Sequence, residues 1–229
     1  CCFARPPLSD TRSRRQRYHS VPHTRNLRCD PDGATGMPLN GAFDLHVHCA
    51  PDVRPRKMTA LELASAARAA GLRGLLLKNH HVPTVMLAAA VREMIPELHV
   101  FGGLVLNEAV GGFNPRAVEV ALRMGAAEIW MPTLCAANER AHRGDAGSGL
   151  TIWDRQGRLH ADLKQILRLV AAANAILGTG HLGAHETREL AVAARDAGVS
   201  KFLVTHPEMN VVNLPVDWQC EISGPGVYF

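Results

Sequence analysis

From Gly41 onward, short apolar runs of β-forming residues alternate with longer segments of helical period. That alternation restricts the chain to an α/β fold, because parallel strands need a crossover helix between them. Six such units can be counted. Strands are expected over 42–48, 74–80, 100–106, 128–131, 176–181 and 202–206, and helices over 60–70, 84–94, 115–124, 161–173, 185–197 and 215–222. Residues 226–229 read as the opening of a seventh strand. An eight-unit barrel takes ~250 residues, whereas the 193 residues from 37 to 229 hold about six and a half units at this repeat length. The expectation is a (β/α) TIM-like barrel truncated at its C-terminus. A six-stranded open α/β sheet is the alternative, and both folds put functional residues at the C-terminal ends of the strands.

Composition narrows the function classes. No apolar run approaches the ~18 residues that cross a bilayer, so no membrane partner is expected. The formal charge of +4 suggests an anionic partner until its location is considered. Residues 1–36 carry seven arginines against three aspartates, and the rest of the chain carries 18 basic and 18 acidic residues. The balanced body gives no reason to expect nucleic acid. The first 36 residues, rich in Arg, Ser and Pro and without apolar periodicity, are expected to be a disordered extension, with the barrel over 37–229. Six cysteines without a CxxC pair point to a reducing, cytoplasmic setting. No GxSxG elbow, P-loop or GxGxxG after a strand is present, which leaves serine hydrolase, NTPase and dinucleotide readings without support.

The residues that carry chemistry are histidines. In Asp44-Leu45-His46-Val47-His48, strand alternation sends Asp44, His46 and His48 to one face, where two imidazoles can ligate one metal. One His-x-His pair means little alone, since twelve histidines in this length give roughly 0.6 such pairs by chance. Position adds to it. Strand two ends Lys78-Asn79-His80-His81, strand five ends Thr179-Gly180-His181 and strand six ends Thr205-His206-Pro207. Core histidines have no reason to gather at one edge of the sheet, so His46, His48, His80, His181 and His206 are read as metal ligands. Zn comes first, with Mn, Fe or Ni as alternatives for neutral imidazoles.

The Asp-x-His-x-His opening, with histidines closing strands five and six, resembles the amidohydrolase superfamily and in part the related polymerase-and-histidinol-phosphatase (PHP) phosphoesterases. More closely, residues 44–208 resemble an uncharacterised branch of amidohydrolase-related proteins. The matching motifs are Leu77-Lys78-Asn79-His80, Leu106-Asn107 with Gly111-Gly112-Phe113-Asn114-Pro115, Trp130-Met131-Pro132-Thr133, and Gly180-His181-Leu182. The resemblance implies a (β/α) barrel with one or two divalent metals on His46, His48, His181 and His206, and an activated water. Two departures stand out. The carboxylated lysine or glutamate that usually ends strand four is replaced by Trp130-Met131-Pro132-Thr133, and no strand eight supplies an aspartate.

Lys78 shares the face of His80 in an apolar strand. It is a candidate for pairing with Asp44 or Glu108, for anion binding, for metal bridging, or for Schiff-base chemistry. Asp44 and Glu208 are the candidate proton carriers beside it. Asn114 and Pro115 read as helix cap and first helical residue, and the exposed amides there could also bind an anion. Within the long segment 134–160, Asp154-Arg155-Gln156-Gly157 reads as a hairpin turn, and Trp153 is the candidate to line the pocket. Asn107 and Asn114 complete the candidate substrate contacts. The expected function is a metal-dependent hydrolase that cleaves an amide, cyclic amide or ester of a small molecule, with homo-oligomerisation left open. A PHP-like phosphoesterase, a Schiff-base lyase using Lys78 and a non-catalytic metal-binding fragment are the alternatives.

Overall fold

The computed structural model describes residues 39–229. The extension expected to be disordered, and Met37 after it, lie outside these residues. Seven strands form one parallel sheet in sequential order, β1 Phe43–Val47, β2 Gly74–Leu77, β3 His99–Val105, β4 Glu128–Trp130, β5 Ile176–Gly178, β6 Phe202–Leu203 and β7 Val227–Tyr228. The crossovers carry α1 Ala60–Ala69, α2 Val85–Met94, α3 Pro115–Arg123, α4 Ala137–His142, α5 Ala161–Ala172, α6 Ala184–Asp196 and α7 Val216–Ile222. All six expected units are present and the seventh strand pairs with β6. The strands stop one to three residues earlier than their apolar runs suggest, because those last residues turn out of the ladder to form the site. In the sheet, β1 and β7 are the two edges. The sheet nonetheless curls, since the rings of His46 in β1 and His206 after β6 lie 4.6 Å apart.

Helix starts follow local chemistry. Thr59 caps α1 with a capping box, its hydroxyl accepting from Glu62 N while the Glu62 carboxylate accepts from Thr59 N at 2.8 Å. Asn114 Oδ1 accepts from Arg116 N and Ala117 N, with Pro115 at the first helical position. Its Nδ2 donates to Val110 O, so the whole amide of Asn114 is engaged in capping.

Alternation sorts the strand residues. Leu104, Ile129 and Leu177 face the helices and join Val118, Leu163, Ile166 and Leu190 in the main core. Leu75 and Leu77 pack with Ala64, Ala88 and Val91 on the first two helices. Inside the curl, Leu76, Val105 and Trp130 form a smaller cluster with Phe101 beside it. The Trp130 indole fits there because Gly103 and Gly178 stand on the neighbouring strands. A Cβ on Gly103 would lie 2.5 Å from the indole, and one on Gly178 2.4 Å from it. No helix among the described residues is long and apolar enough to cross a membrane.

Candidate active site

The strand-end histidines close into a ring. Centroid separations run 5.5 Å from His46 to His48, 4.7 Å to His80, 6.2 Å to His181, 5.9 Å to His206 and 4.6 Å back to His46. Five side chains from four strands thus share one patch at the C-terminal end of the sheet. Lys78 rises between them, 1% exposed, with Nζ 3.1 Å from His46 Nε2 and 5.2 Å from the centroid of Trp130. Beneath it lies Glu128, fully buried, with neither carboxylate oxygen hydrogen-bonded.

Two rings are oriented from behind. His181 Nδ1 lies 3.0 Å from Glu139 Oε2 on α4, and Arg143 pairs with the same carboxylate. His80 Nδ1 lies 2.8 Å from Thr133 Oγ1, which also accepts from Asn107 Nδ2 at 2.7 Å. Asn107 is a hub, donating to His80 O and accepting from Thr133 N and Cys135 N. With Nδ1–H committed to the Glu139 carboxylate, Nε2 of His181 carries the free lone pair, the arrangement that steadies a metal-binding imidazole, while Thr133 Oγ1 fixes the orientation of the His80 ring.

The electrostatics keep these rings neutral. Burial first, and then the Lys78 charge, push His46 and His80 down to about 2 and His181 to about 4. Glu139 works against this at His181. His48 falls to about 4 through burial and then Arg56, and His206 is lowered by burial and Lys78. Burial lowers Lys78 to about 7 against the pull of Glu128, and raises Glu128 to about 8 against the pull of Lys78.

The other candidates fall elsewhere. A register shift after Asp44 aligns it with Leu75 and Val47 with Leu77, so Asp44 is out of phase with His46 and His48. Its Oδ1 accepts from His46 N at 2.9 Å, a local turn bond that strict alternation could not foresee. Lys78 pairs with neither expected carboxylate, since Glu108 binds Arg140 at 2.7 Å. Glu208 is exposed, accepts from Gln219, and borders a depression with Glu139, His142 and Arg143. Trp153 pairs with Leu159 across the expected hairpin and lines a different depression with Phe113 and His160. Asn107 supports the ring from behind, and Asn114 caps α3.

Glu139, Thr133 and Glu128 carry roles the sequence reading missed. Glu139 sits on α4 within a segment read as loop and hairpin, although Ala137 to Arg140 contains good helix formers and Glu139 and Arg143 are spaced for an i,i+4 pair. Glu128 was visible as the one ionisable residue in an apolar strand.

The ring suits a divalent metal in its chemistry. It offers five neutral imidazoles, and His48 Nδ1 is buried without a partner. Two imidazoles on one tetrahedral ion, with metal–nitrogen distances of about 2.0–2.1 Å, place their centroids roughly 5 Å apart, close to the separations found. In the present arrangement no group of three or more His, Cys, Asp or Glu among the described residues is disposed to hold an ion, and His46 Nε2 faces Lys78 instead.

A family model described as a family of unknown function, DUF6282, matches residues 41–229. No curated protein matches the chain. Among solved structures, a Coccidioides immitis protein assigned as a deoxyribose-phosphate aldolase is 14% identical at a TM-score of 0.47, covering 83% of this chain and 71% of its own. An amidohydrolase from Pseudomonas aeruginosa is 12% identical at 0.43, covering 72% of this chain. This chain spans 52% of that amidohydrolase's length. A 2,3-dimethylmalate lyase of the PEP mutase/isocitrate lyase superfamily is 13% identical at 0.42, covering 84% and 75%. Identities and scores this low bear on no activity.

Proposed function

The chain belongs to DUF6282, a family of unknown function, and we propose from its ring of histidines that it is a metal-dependent hydrolase acting on an amide, cyclic amide or ester bond of a small molecule. One observation carries the reading: five neutral imidazoles from four strand ends close into a ring, with two of them held from behind by Glu139 and Thr133. His46, His48, His80, His181 and His206 would hold the ion, with Zn first and Mn, Fe or Ni as alternatives. A bound divalent metal would supply Lewis-acid polarisation and lower the pKa of water from ~15.7 toward ~7.

The remaining steps fall to this chain's own residues. Glu139 holds the tautomer of His181, and Thr133 fixes the orientation of the His80 ring. Lys78, its Nζ near neutral because burial disfavours its charge, takes up or returns a proton beside His46. In this reading proton transfer falls to Lys78 rather than to Asp44 or Glu208. A PHP-like phosphoesterase fits less well, since among the described residues Glu139 is the one carboxylate hydrogen-bonded to an imidazole of the ring.

Metal content tests the reading. His46→Ala and His206→Ala each lose the metal, while His142→Ala keeps it; full occupancy in His206→Ala would remove that residue from the set. A second reading, a Schiff-base lyase, is favoured by Lys78, whose Nζ contacts an imidazole and no carboxylate. The amine would condense with a substrate carbonyl and release water, with His46 accepting the proton. It predicts borohydride trapping on Lys78 and activity that survives chelation, whereas the hydrolase is silenced by chelators and is not trapped.

A further inference from the structure

The loop between β1 and α1 is the most basic segment near the ring. Residues 51–57 read Pro-Asp-Val-Arg-Pro-Arg-Lys, three cations against one carboxylate, in a body whose charges balance only as a whole. The loop is closed at its base by Ala50 N donating to Met58 O at 2.8 Å, and Asn79 Nδ2 reaches Pro51 O at 3.5 Å from the end of β2. Arg54 and Lys57 point into solvent. Arg56 turns inward, its side chain 20% exposed and that of its partner Asp52 1% exposed.

Asp52 grips one side of the guanidinium. Its Oδ2 accepts from Arg56 Nε at 2.6 Å. Nη2 lies as close to the same oxygen but is not aligned for a hydrogen bond, and it is buried without a partner. Asp52 Oδ1 and His48 Nδ1 are likewise buried and unpartnered. Buried polar atoms are paired in nearly every case; of these three, Nη2 and His48 Nδ1 can donate and mark a place for an acceptor, whereas Asp52 Oδ1 can only accept. The Asp52–Arg56 pair stands at the edge of the ring, since His48 leads into this loop and Asn79, beside His80, reaches the carbonyl of Pro51, beside Asp52. Three cations against the single Asp52 carboxylate leave this loop positive, so this edge of the site favours negative charge.

We propose that Arg56 recognises an oxyanion group of the substrate, a carboxylate or a phosphate, and holds it beside His48 and His80. Asp52 fixes the Nε side so that the Nη edge is presented as a rigid fork, the geometry that suits planar or tetrahedral oxyanions. The reading above supplies the reaction this group would orient, and the proposal rests on it for catalysis; anion binding itself requires no metal.

The test is a titration with inorganic phosphate and, separately, with acetate, followed through the imidazole NMR signals of His48 and His80 in zinc-loaded and metal-stripped protein. Saturable shifts are expected, and the tighter anion identifies the group. Arg56→Gln weakens binding at least tenfold, and Arg54→Gln changes it less than twofold. No saturable shift, or equal binding by Arg56→Gln and the parent, overturns the proposal. Should Arg56→Gln fail to fold, the Arg56 Nε–H signal of the parent decides, and its failure to move with either anion has the same force. The stripped sample separates the two claims. Arg56-dependent binding there stands even if the protein takes no metal, and zinc-loaded protein whose phosphate binding ignores Arg56 overturns this proposal alone.

Discussion

Metal-free protein loses most of its stability between pH 6.5 and pH 4.5. His46 and His80 have folded-state values near 2, and His48 and His181 near 4, all below the ordinary 6.5. A histidine depressed in the folded state is protonated first in the unfolded chain. Its contribution is therefore complete above pH 6.5 and is lost as the pH falls toward the folded value. Each such proton costs about 1.4 kcal/mol per pH unit. Four of them over two units give on the order of 10 kcal/mol, comparable to the whole stability of a domain. His46 and His48 are partly open to water, which reduces their share. Glu128 acts in the opposite sense, because a carboxyl raised in the folded state gains stability as the pH falls through 8 toward 4.5. One such group does not offset four. Urea unfolding followed by circular dichroism at pH 7, 6 and 5 checks this; equal midpoints across the series would mean that the rings are not held neutral.

Gly103→Ala and Gly178→Ala both destabilise strongly, but only the second can be rescued. At Gly103 a Cβ would lie 2.3 Å from the Glu128 carbonyl oxygen, backbone that cannot move without breaking the β3–β4 ladder, as well as 2.5 Å from Trp130. At Gly178 the close atoms are the side chains of Glu128 and Trp130, both at 2.4 Å. Overpacking of this kind costs about 3 kcal/mol or more when backbone must shift. Adding Trp130→Leu should therefore restore most of the loss in Gly178→Ala and little of it in Gly103→Ala, read as changes in denaturation midpoint at unchanged slope. Equal rescue in both would mean that the Glu128 carbonyl is not the obstacle.

The periodicity of the chain carried the fold because the central strands β2 to β5 are largely buried on both faces and the helices show their own period, so Leu75, Leu104, Ile129 and Leu177 announce their strands. Five strand-end histidines were legible for a related reason, since a barrel brings strand ends together whatever their spacing in sequence. Asp44 was not, because a register shift in β1 is a pairing event with the neighbouring strand and leaves no mark on alternation. Glu139 and Thr133 were hidden differently. They act on rings 42 and 53 residues away, and such contacts exist only once the strands curl. The partners of Lys78 were misjudged for the same reason: Glu128 and Trp130 lie at the start and end of a strand read as plain core, and their shared inward face matters only beside β2.

Metal analysis by ICP-MS on protein purified without a histidine tag, alongside His46→Ala/His48→Ala, tests the central claim most directly. The account predicts one or two equivalents of Zn, Mn, Fe or Ni per chain, lost in the double variant. A folded parent protein that carries no metal and takes up none of these four on incubation, or a double variant that keeps the parent's content, would contradict it.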